Sequence, residues 1–387
     1  EYNTMATLRV SWHDYNAAED GFNVYRSDSP MDVNAMPSPI ASVGPNIGAY
    51  DDTNVTPGNG YYYRIGTLRN GYEVISEEKK LFAGTFMLIV GDAYGNVSKL
   101  NYNGEYIIDS KWPYAADDAV TGLGAVDIDK NGYIYASQYL YRETKIIKID
   151  SNANLIWTFE APKNGNSDGF TSHVGAIAVD KNGYVYAGSD GDDRIKRIDP
   201  NGNYMWEAVV DYATTLGIDS DGRVYTNDRT NVERYDTNGN YENNFRFQSN
   251  VGHIAVESNG SVYVTTGDGP VRKVRIGNSS GEWRYYKTDT SRAISIDESR
   301  RYVYIEENED LLQLDMDNGS LNWRFDSQDN GNPNGHGNTI EHIVVDDQGY
   351  IYTVSQDIIR KFDFNGNFQW SKEIEKRVSG IAVSLYH

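Results

Sequence analysis

Hydrophobic and polar residues alternate along short segments of the chain, and this alternation predicts β-strands. In ATLRVSW, Leu8, Val10 and Trp12 fall on one face, and in GFNVYRS, Phe22 and Val24 do the same. Clusters of Asn, Asp and Gly, which are turn-forming residues, bound most of these segments. No apolar repeat of helical period extends over a useful length. The pattern therefore predicts an all-β protein.

The second part of the chain contains a repeated unit. Each unit has a strand, a turn that ends in Gly, a second strand, a third strand with its own turn, and a fourth strand that usually carries Trp, with Phe245 expected in its place once. The units recur about every 40 residues, which is the length of a four-stranded propeller blade. The first hairpins of the units are AVDIDKNGYIYASQ (125–138), AIAVDKNGYVYAGS (176–189), TLGIDSDGRVYTND (215–228), HIAVESNGSVYVTT (253–266), AISIDESRRYVYIE (293–306) and HIVVDDQGYIYTVS (342–355).

The two ends of this region contain partial units that complete each other. Residues 84–112 provide a second, third and fourth strand without a first, and residues 378–386 provide a first strand alone. Pairing these strands removes the open sheet edges that an incomplete ring exposes. We therefore predict a seven-bladed β-propeller over residues 84–387, closed by pairing of its C-terminal strand with the first blade.

The repeated units resemble those of the NHL and PQQ-like repeat families, whose form is xIAVD-xxG-xVYV followed by hhxhD-xxG-xxxW. The segment DNGSLNWRF (317–325) is the most similar to the PQQ-like form. This resemblance implies a propeller scaffold in which the tryptophans pack between neighbouring blades. It does not imply one activity, because propellers of this kind serve as enzymes, as lectins and as interaction platforms.

Residues 1–83 resemble a fibronectin type III module, which is a small β-sandwich. Trp12 matches the core tryptophan of the module's second strand. Tyr61, four residues after Pro57-Gly58, matches the tyrosine whose hydroxyl bonds back to the preceding turn. Only five residues precede the strand that contains Trp12, so the first strand of the sandwich is expected to be missing or supplied from elsewhere.

Composition narrows the classes of function. A formal net charge of −21 disfavours nucleic-acid binding, and the lack of Cys excludes disulfides, thiolate metal sites and Cys nucleophiles. The longest apolar run, residues 86–90, is too short to cross a bilayer. The motif H-E-x-x-H and a Gly-rich phosphate loop are absent from the sequence. We therefore expect no catalytic residues, no metal, no cofactor, no nucleic-acid partner and no membrane insertion.

Three residues interrupt the small or apolar pattern of the predicted innermost strands. Asp127 occupies a position that holds Ala, Gly, Ser or Val in the other units, and His253 and His342 share a second position. We consider these residues a candidate interaction site in the central channel, where Asp127 can bind water or an ion or pair with a base. The alternative is that the two imidazoles are polar groups at the channel rim. Their blades are not neighbours, so joint metal coordination is not expected.

The segment DIDKNG (127–132) begins like an EF-hand calcium loop. Its twelfth position, however, is Gln138 instead of the bidentate Glu, and its flanks are strands instead of helices. The same polar residues and Gly recur in the other units. The segment is therefore interpreted as a hairpin turn in which Gly takes the positive-φ position.

The long connections from a fourth strand to the next first strand must emerge on one face of the propeller. Loops carried by a rigid scaffold are frequent binding sites. These connections are residues 110–122, 161–175 and 326–339. The candidate interaction residues within them are Trp112, Tyr114, Phe170, His173, Asn334 and His336.

The N-terminal segment is also similar to the fibronectin-type modules of tailed-bacteriophage structural proteins. The shared features are FNVYRS, MPSPIA, YDDTNV, GYYYRIG and VISEE. The resemblance implies a non-enzymatic virion component of the tail, collar or baseplate, present as a symmetric homo-oligomer. The sandwich would anchor to other virion proteins, and the propeller would contact the host through a surface glycan or protein. The alternatives are a carbohydrate- or protein-binding adhesin of a bacterial surface and a polysaccharide-active propeller enzyme.

Overall fold

The structure is a computed structural model in which the chain divides into two compact units. Unit 1 consists of Glu1–Phe86 with Leu385–His387, and unit 2 consists of Met87–Ser384. None of the described segments forms an apolar helix of the length that a bilayer crossing requires. The structure describes residues 6–12, 19–55, 60–82, 85–101, 103–107, 114–116, 120–141, 143–160, 169–267, 269–277, 281–287, 291–325 and 339–386.

Unit 1 is built from two antiparallel β-sheets. One sheet pairs β1 (Ala6–Ser11) with β4 (Ala49–Val55). The other has the order β3 (Ala41–Val43), β2 (Gly21–Ser27), β5 (Gly60–Arg69) and β6 (Tyr72–Ile75), and β7 (Lys79–Phe82) also pairs with β5.

The core of unit 1 follows the alternation of the sequence. Leu8 and Val10 of β1 are buried in one cluster with Phe22 of β2. Trp12 packs against Phe22 with ring centroids 5.3 Å apart. Tyr61 is buried as well, but the turn that precedes it lies outside the described residues, and so does the hydrogen bond predicted between them. The two sheets therefore share one apolar core.

Unit 2 contains six four-stranded antiparallel sheets among its described residues, numbered here 1 to 6 in chain order. Sheet 1 contains β10 (Val120–Ile128), β11 (Ile134–Leu140), β12 (Glu143–Ile149) and β13 (Leu155–Phe159). Sheet 2 contains β14 (Val174–Val179), β15 (Val185–Ser189), β16 (Arg194–Ile198) and β17 (Tyr204–Val209). Sheet 3 contains β18 (Leu216–Ile218), β19 (Val224–Asp228), β20 (Asn231–Tyr235) and β21 (Tyr241–Arg246).

The next three sheets have the same strand order. Sheet 4 contains β22 (Val251–Val256), β23 (Ser261–Thr266), β24 (Val271–Arg275) and β25 (Trp283–Tyr285). Sheet 5 contains β26 (Ile294–Asp297), β27 (Tyr302–Glu307), β28 (Asp310–Asp315) and β29 (Leu321–Phe325). Sheet 6 contains β30 (His342–Val345), β31 (Ile351–Ser355), β32 (Ile358–Phe362) and β33 (Phe368–Glu373).

A further sheet joins the two ends of the repeat region, and we call it the closing sheet. Its order is β34 (Val378–Tyr386), β8 (Thr85–Asp92) and β9 (Val97–Leu100). In the structure, therefore, the last strand of the chain pairs with the first strand of the repeat region, as the sequence predicts.

The first strands of successive sheets lie side by side. Strands β10, β14, β18, β22, β26 and β30 contact one another in that order. The closing sheet and the turn after it approach sheets 1 and 6. A Cβ atom on Gly380 of β34 would lie 3.1 Å from Val126 of sheet 1, and one on Gly104, in the turn after β9, would lie 2.9 Å from the ring of Trp370 on the fourth strand of sheet 6. Together these contacts define an all-β, propeller-like fold.

The turn between the first and second strands explains the recurring Asp and Gly. In sheet 1, Asp129 Oδ1 accepts hydrogen bonds from the backbone N–H groups of Asn131, at 2.9 Å, and Tyr133, at 3.0 Å. Gly132 has a φ of 79°, a conformation that favours Gly. Asp180 and Asp219 make the same pair of bonds in sheets 2 and 3. The segment DIDKNG thus forms a hairpin turn.

Tryptophans on the fourth strands join adjacent sheets. Four of them donate the indole N–H to a backbone carbonyl in the turn between the third and fourth strands of the next sheet. A Lys, Arg or Gln on the adjacent third strand donates to the same carbonyl, and we call this arrangement the inter-sheet clamp. Its members are Trp157 and Lys148 on Pro200, Trp206 and Arg197 on Thr237, Trp283 and Lys273 on Met316, and Trp323 and Gln313 on Phe364.

The predicted packing of tryptophans between neighbouring sheets is confirmed, but the substitute in sheet 3 was predicted wrongly. Trp206 in sheet 2 pairs in register with Arg197, and the residue that pairs with the equivalent Arg234 in sheet 3 is Asn243, not Phe245. Phe245 is buried in the core between sheets 3 and 4. Sheet 3 therefore lacks the indole of the inter-sheet clamp.

Candidate functional site

The three candidate residues of the channel lie on innermost strands. Asp127 is in β10, His253 is in β22 and His342 is in β30. His253 is exposed, and Asp127 and His342 are half-buried. No group of three or more His, Asp or Glu side chains arranged to hold a metal ion occurs among the described residues.

Asp127 connects two neighbouring sheets. Its Oδ2 atom accepts a hydrogen bond of 2.9 Å from the backbone N–H of Val179 in β14, and its Oδ1 atom accepts one of 2.8 Å from Ile128. Strand β14 is the edge strand of sheet 2 and pairs with β15 on one side. The Val179 N–H points to the other side, toward sheet 1. Burial raises the pKa of Asp127 to about 7, and the charge of Asp129 raises it further. The carboxyl group thus accepts a hydrogen bond from a backbone N–H at the edge of sheet 2, and burial of its charge costs free energy.

We expect Asp127→Asn to reduce the loss of stability toward alkaline pH. Because burial raises the folded-state pKa of Asp127 above the unfolded value, the folded protein holds a proton that the unfolded chain releases, and stability falls as pH rises from about 4 to about 7. Asn keeps an oxygen that can accept the Val179 N–H but carries no charge. Asn has one acceptor oxygen where the carboxyl group has two, so the Ile128 N–H loses its partner at every pH. The difference in free energy of unfolding between the variant and the natural chain should therefore be about 1–2 kcal/mol more favourable to the variant at pH 8 than at pH 4 in chemical denaturation. An identical pH dependence in both proteins would contradict this assignment.

The two imidazoles of the channel are neutral at pH 7. Burial lowers the pKa of His253 to about 4, and the charge of His342 acts in the same direction. Burial also lowers the pKa of His342 to about 4, and the charge of Arg377 acts in the same direction. The channel therefore presents two uncharged imidazoles that become cationic only in acid.

The structure separates the candidate loop residues into different environments. Tyr114 pairs through its backbone with Val97 of β9 and is half-buried. Phe170 is fully buried against Phe159, so the prediction that it contacts a partner is wrong: the side chain belongs to the core between sheets 1 and 2. His173 is exposed, and its ring lies 4.2 Å from that of Tyr139. Three further candidates, Trp112, Asn334 and His336, lie outside the described residues.

One face of unit 2 carries the turns between second and third strands together with the connections that lead to the next first strand, and we call it the loop face. Backbone hydrogen bonds of 2.9 Å join these segments, for example from Ala93 to Arg377 and from Val210 to Asp193.

Exposed tyrosines occur on the loop face. Tyr141 is 86% exposed and Tyr286 is 73% exposed, and Tyr94 and Tyr212 are also open to solvent. These tyrosines were not among the candidates predicted from the sequence, although their positions in predicted turns indicate exposure to solvent. Aromatic rings that cost little entropy to fix are suited to contacts with proteins or sugars.

The described sheets have an all-β, propeller-like fold. The family model described as outer membrane protein assembly factor BamB matches residues 191–384, which is just over half of the chain. The chain belongs to this family of PQQ-like repeat proteins. No curated protein matches the chain.

Several solved structures have a similar fold at low sequence identity. Hydrazine synthase of Kuenenia stuttgartiensis is 10% identical, with a TM-score of 0.57 over 71% of this chain and 92% of that chain. The computationally designed Ika8 protein is 14% identical, with a TM-score of 0.51 over 81% of this chain and 90% of that chain. A protein of unknown function from Bacteroides caccae is 13% identical, with a TM-score of 0.46 over 77% and 98%. At these identities, the first two similarities concern the fold alone.

Proposed function

We propose that the protein is a non-enzymatic interaction protein that binds its partner through the loop face of unit 2. The observation that carries this proposal is the set of exposed tyrosines on that face, of which Tyr141 and Tyr286 are the most open. Large aromatic side chains concentrate at binding surfaces because they bury much area for few restricted torsions. The family description, which names an assembly factor, agrees with an interaction role.

We further propose that unit 2 is a seven-bladed propeller and unit 1 a fibronectin type III-like sandwich, together forming a component of a phage virion. The contacts of the closing sheet with sheets 1 and 6 support seven blades. The two-sheet core of unit 1 and the phage-like segments FNVYRS and GYYYRIG support the second assignment. In this proposal the sandwich binds other virion proteins in a symmetric homo-oligomer, and the propeller contacts the host surface.

A binding experiment with two matched double variants tests the loop face. We expect the full chain with Tyr141→Ala and Tyr286→Ala to bind intact host cells at least tenfold more weakly than the natural chain. The control is Leu155→Ala with Ile156→Ala, which removes exposed apolar side chains from β13, away from the loop face. Equal binding by both double variants would overturn the assignment of this face.

The same tyrosines favour a second candidate, a glycan-binding adhesin of a bacterial surface, because aromatic rings stack on the apolar faces of sugars. An array of bacterial surface glycans distinguishes the two candidates. Strong binding by a protein found on cells instead of particles would support the adhesin.

A further inference from the structure

A cavity of about 490 Å³ lies between sheets 2 and 3, on the face opposite the loop face. Its walls include the first turn of sheet 2, with Asp180 and Lys181, and the first turn of sheet 3, with Ser220 and Asp221. Arg197 of β16 also lines it. This volume falls within the range of about 300–1,000 Å³ that is typical of small-molecule sites.

Sheet 2 departs from a hydrogen-bond pattern that four of the other five sheets share. In four sheets, a tyrosine on the second strand donates its hydroxyl to the second oxygen of the turn carboxylate. These pairs are Tyr135 with Asp129, Tyr225 with Asp219, Tyr263 with Glu257 and Tyr352 with Asp346. In sheet 2, Tyr186 instead donates to the carbonyl of Gly222 in sheet 3, at 3.2 Å.

Because the Tyr186 hydroxyl donates to Gly222, one oxygen of the Asp180 carboxylate in the cavity does not receive this hydrogen bond. Asp180 is only 8% exposed, and its Oδ1 atom accepts the two turn N–H groups. Its Oδ2 atom accepts no hydrogen bond from any described residue, and the nearest cationic nitrogen is Arg197 Nη2 at 3.9 Å. This oxygen is open to the cavity, so a bound hydroxyl group can donate a hydrogen bond to it.

The guanidinium group of Arg197, a cationic donor, lies beside the Asp180 carboxylate. The residue is 9% exposed, and its Nη1 atom donates to the carbonyl of Thr237 at 2.7 Å. Its guanidinium carbon lies 4.0 Å from the ring centroid of Tyr184, and its Nε atom finds no acceptor among the described residues. A carboxylate oxygen with unused acceptor capacity and a cationic guanidinium group thus line the same cavity.

We propose that this cavity binds a neutral, hydroxyl-rich small molecule, such as a single sugar residue. A hydroxyl both donates and accepts, so adjacent hydroxyls can donate to Asp180 Oδ2 and accept from the Arg197 guanidinium. An anion fits poorly, because the carboxylates that line the cavity (Asp180, Asp219, Asp221 and Glu298) outnumber its cations, Arg197 and Lys181. The site is separate from the loop face and independent of the function proposed for that face.

Saturation-transfer NMR on the full chain, with glucose, galactose, mannose and N-acetylglucosamine as probes, tests this site. We expect at least one sugar to bind in the millimolar range and Asp180→Asn to weaken it at least tenfold. Asn keeps an oxygen for the turn N–H groups, and melting curves verify that the variant folds. The matched control is Asp129→Asn, the same change in the equivalent turn of sheet 1, which should leave binding unchanged.

Three results would overturn the proposal. One is that none of the four sugars gives a signal with the natural chain, so that water alone fills the cavity. Another is that Asp180→Asn and Asp129→Asn bind the sugar equally well. The third is that inorganic phosphate displaces the bound sugar, because this would assign the site to anions held by Arg197.

Discussion

Replacing Trp206 with Ala is expected to lower the free energy of unfolding of unit 2 by about 3–5 kcal/mol, the range for large aromatic side chains removed from packed sites. The indole donates its N–H to Thr237 O at 2.9 Å and lies 6.0 Å from the ring of Tyr186. It also lies over Gly239 of sheet 3, where a Cβ atom would come within 2.7 Å of the indole. The variant therefore loses packing and a hydrogen bond between two sheets. Chemical denaturation followed by circular dichroism measures the change.

Sheet 3 provides the control for this prediction. Asn243 occupies the register position of Trp206, is exposed and donates no bond equivalent to the indole N–H. Asn243→Ala is expected to change the free energy of unfolding by no more than about 0.5 kcal/mol, as at other exposed positions. If Trp206→Ala and Asn243→Ala have the same effect, the inter-sheet clamp does not stabilise the fold.

Deleting the last ten residues, 378–387, is expected to abolish the cooperative unfolding transition of unit 2. The deletion removes β34, which pairs with β8, and with it the buried side chains of Val378, Ile381 and Ala382. It leaves an unpaired edge on β8 and separates the first strands of sheets 1 and 6. Circular dichroism and limited proteolysis during thermal unfolding measure the loss.

A shorter deletion controls for the loss of the chain end itself. Removing only Leu385–His387, which are grouped with unit 1, should leave the transition of unit 2 in place. A synthetic peptide of residues 376–387 should restore the transition to the longer deletion, since the missing strand is then supplied in trans. A longer deletion that unfolds at the same temperature as the shorter one would show that β34 does not close the ring.

Much of the fold could be predicted because its determinants are local. The Asp129–Gly132 turn depends on hydrogen bonds across four residues, and the alternation of Leu8 and Val10 depends on strand geometry alone. The error at Phe245 arose from matching one aromatic residue with another. Trp206 follows the turn residue Gly202 by four positions, and the same spacing from Gly239 leads to Asn243.

The candidate sites could be predicted less well, because they depend on contacts between residues far apart in sequence. Asp127 was recognisable as an exception to the repeat, but its partner Val179 belongs to another sheet. Phe170 lies in a long loop, yet it enters the core beside Phe159. The free acceptor oxygen of Asp180 depends on the direction in which the Tyr186 hydroxyl donates. The presence of a tyrosine in the sequence does not determine that direction.

Electron cryo-microscopy of the purified parent particle is the most direct test of the proposed function. We expect the protein in the tail, collar or baseplate region in several symmetry-related copies, each with a propeller-shaped density whose loop face, marked by Tyr141 and Tyr286, points away from the particle. Absence of the protein from purified particles, together with its recovery as a free monomer from the medium, would contradict its assignment as a virion component.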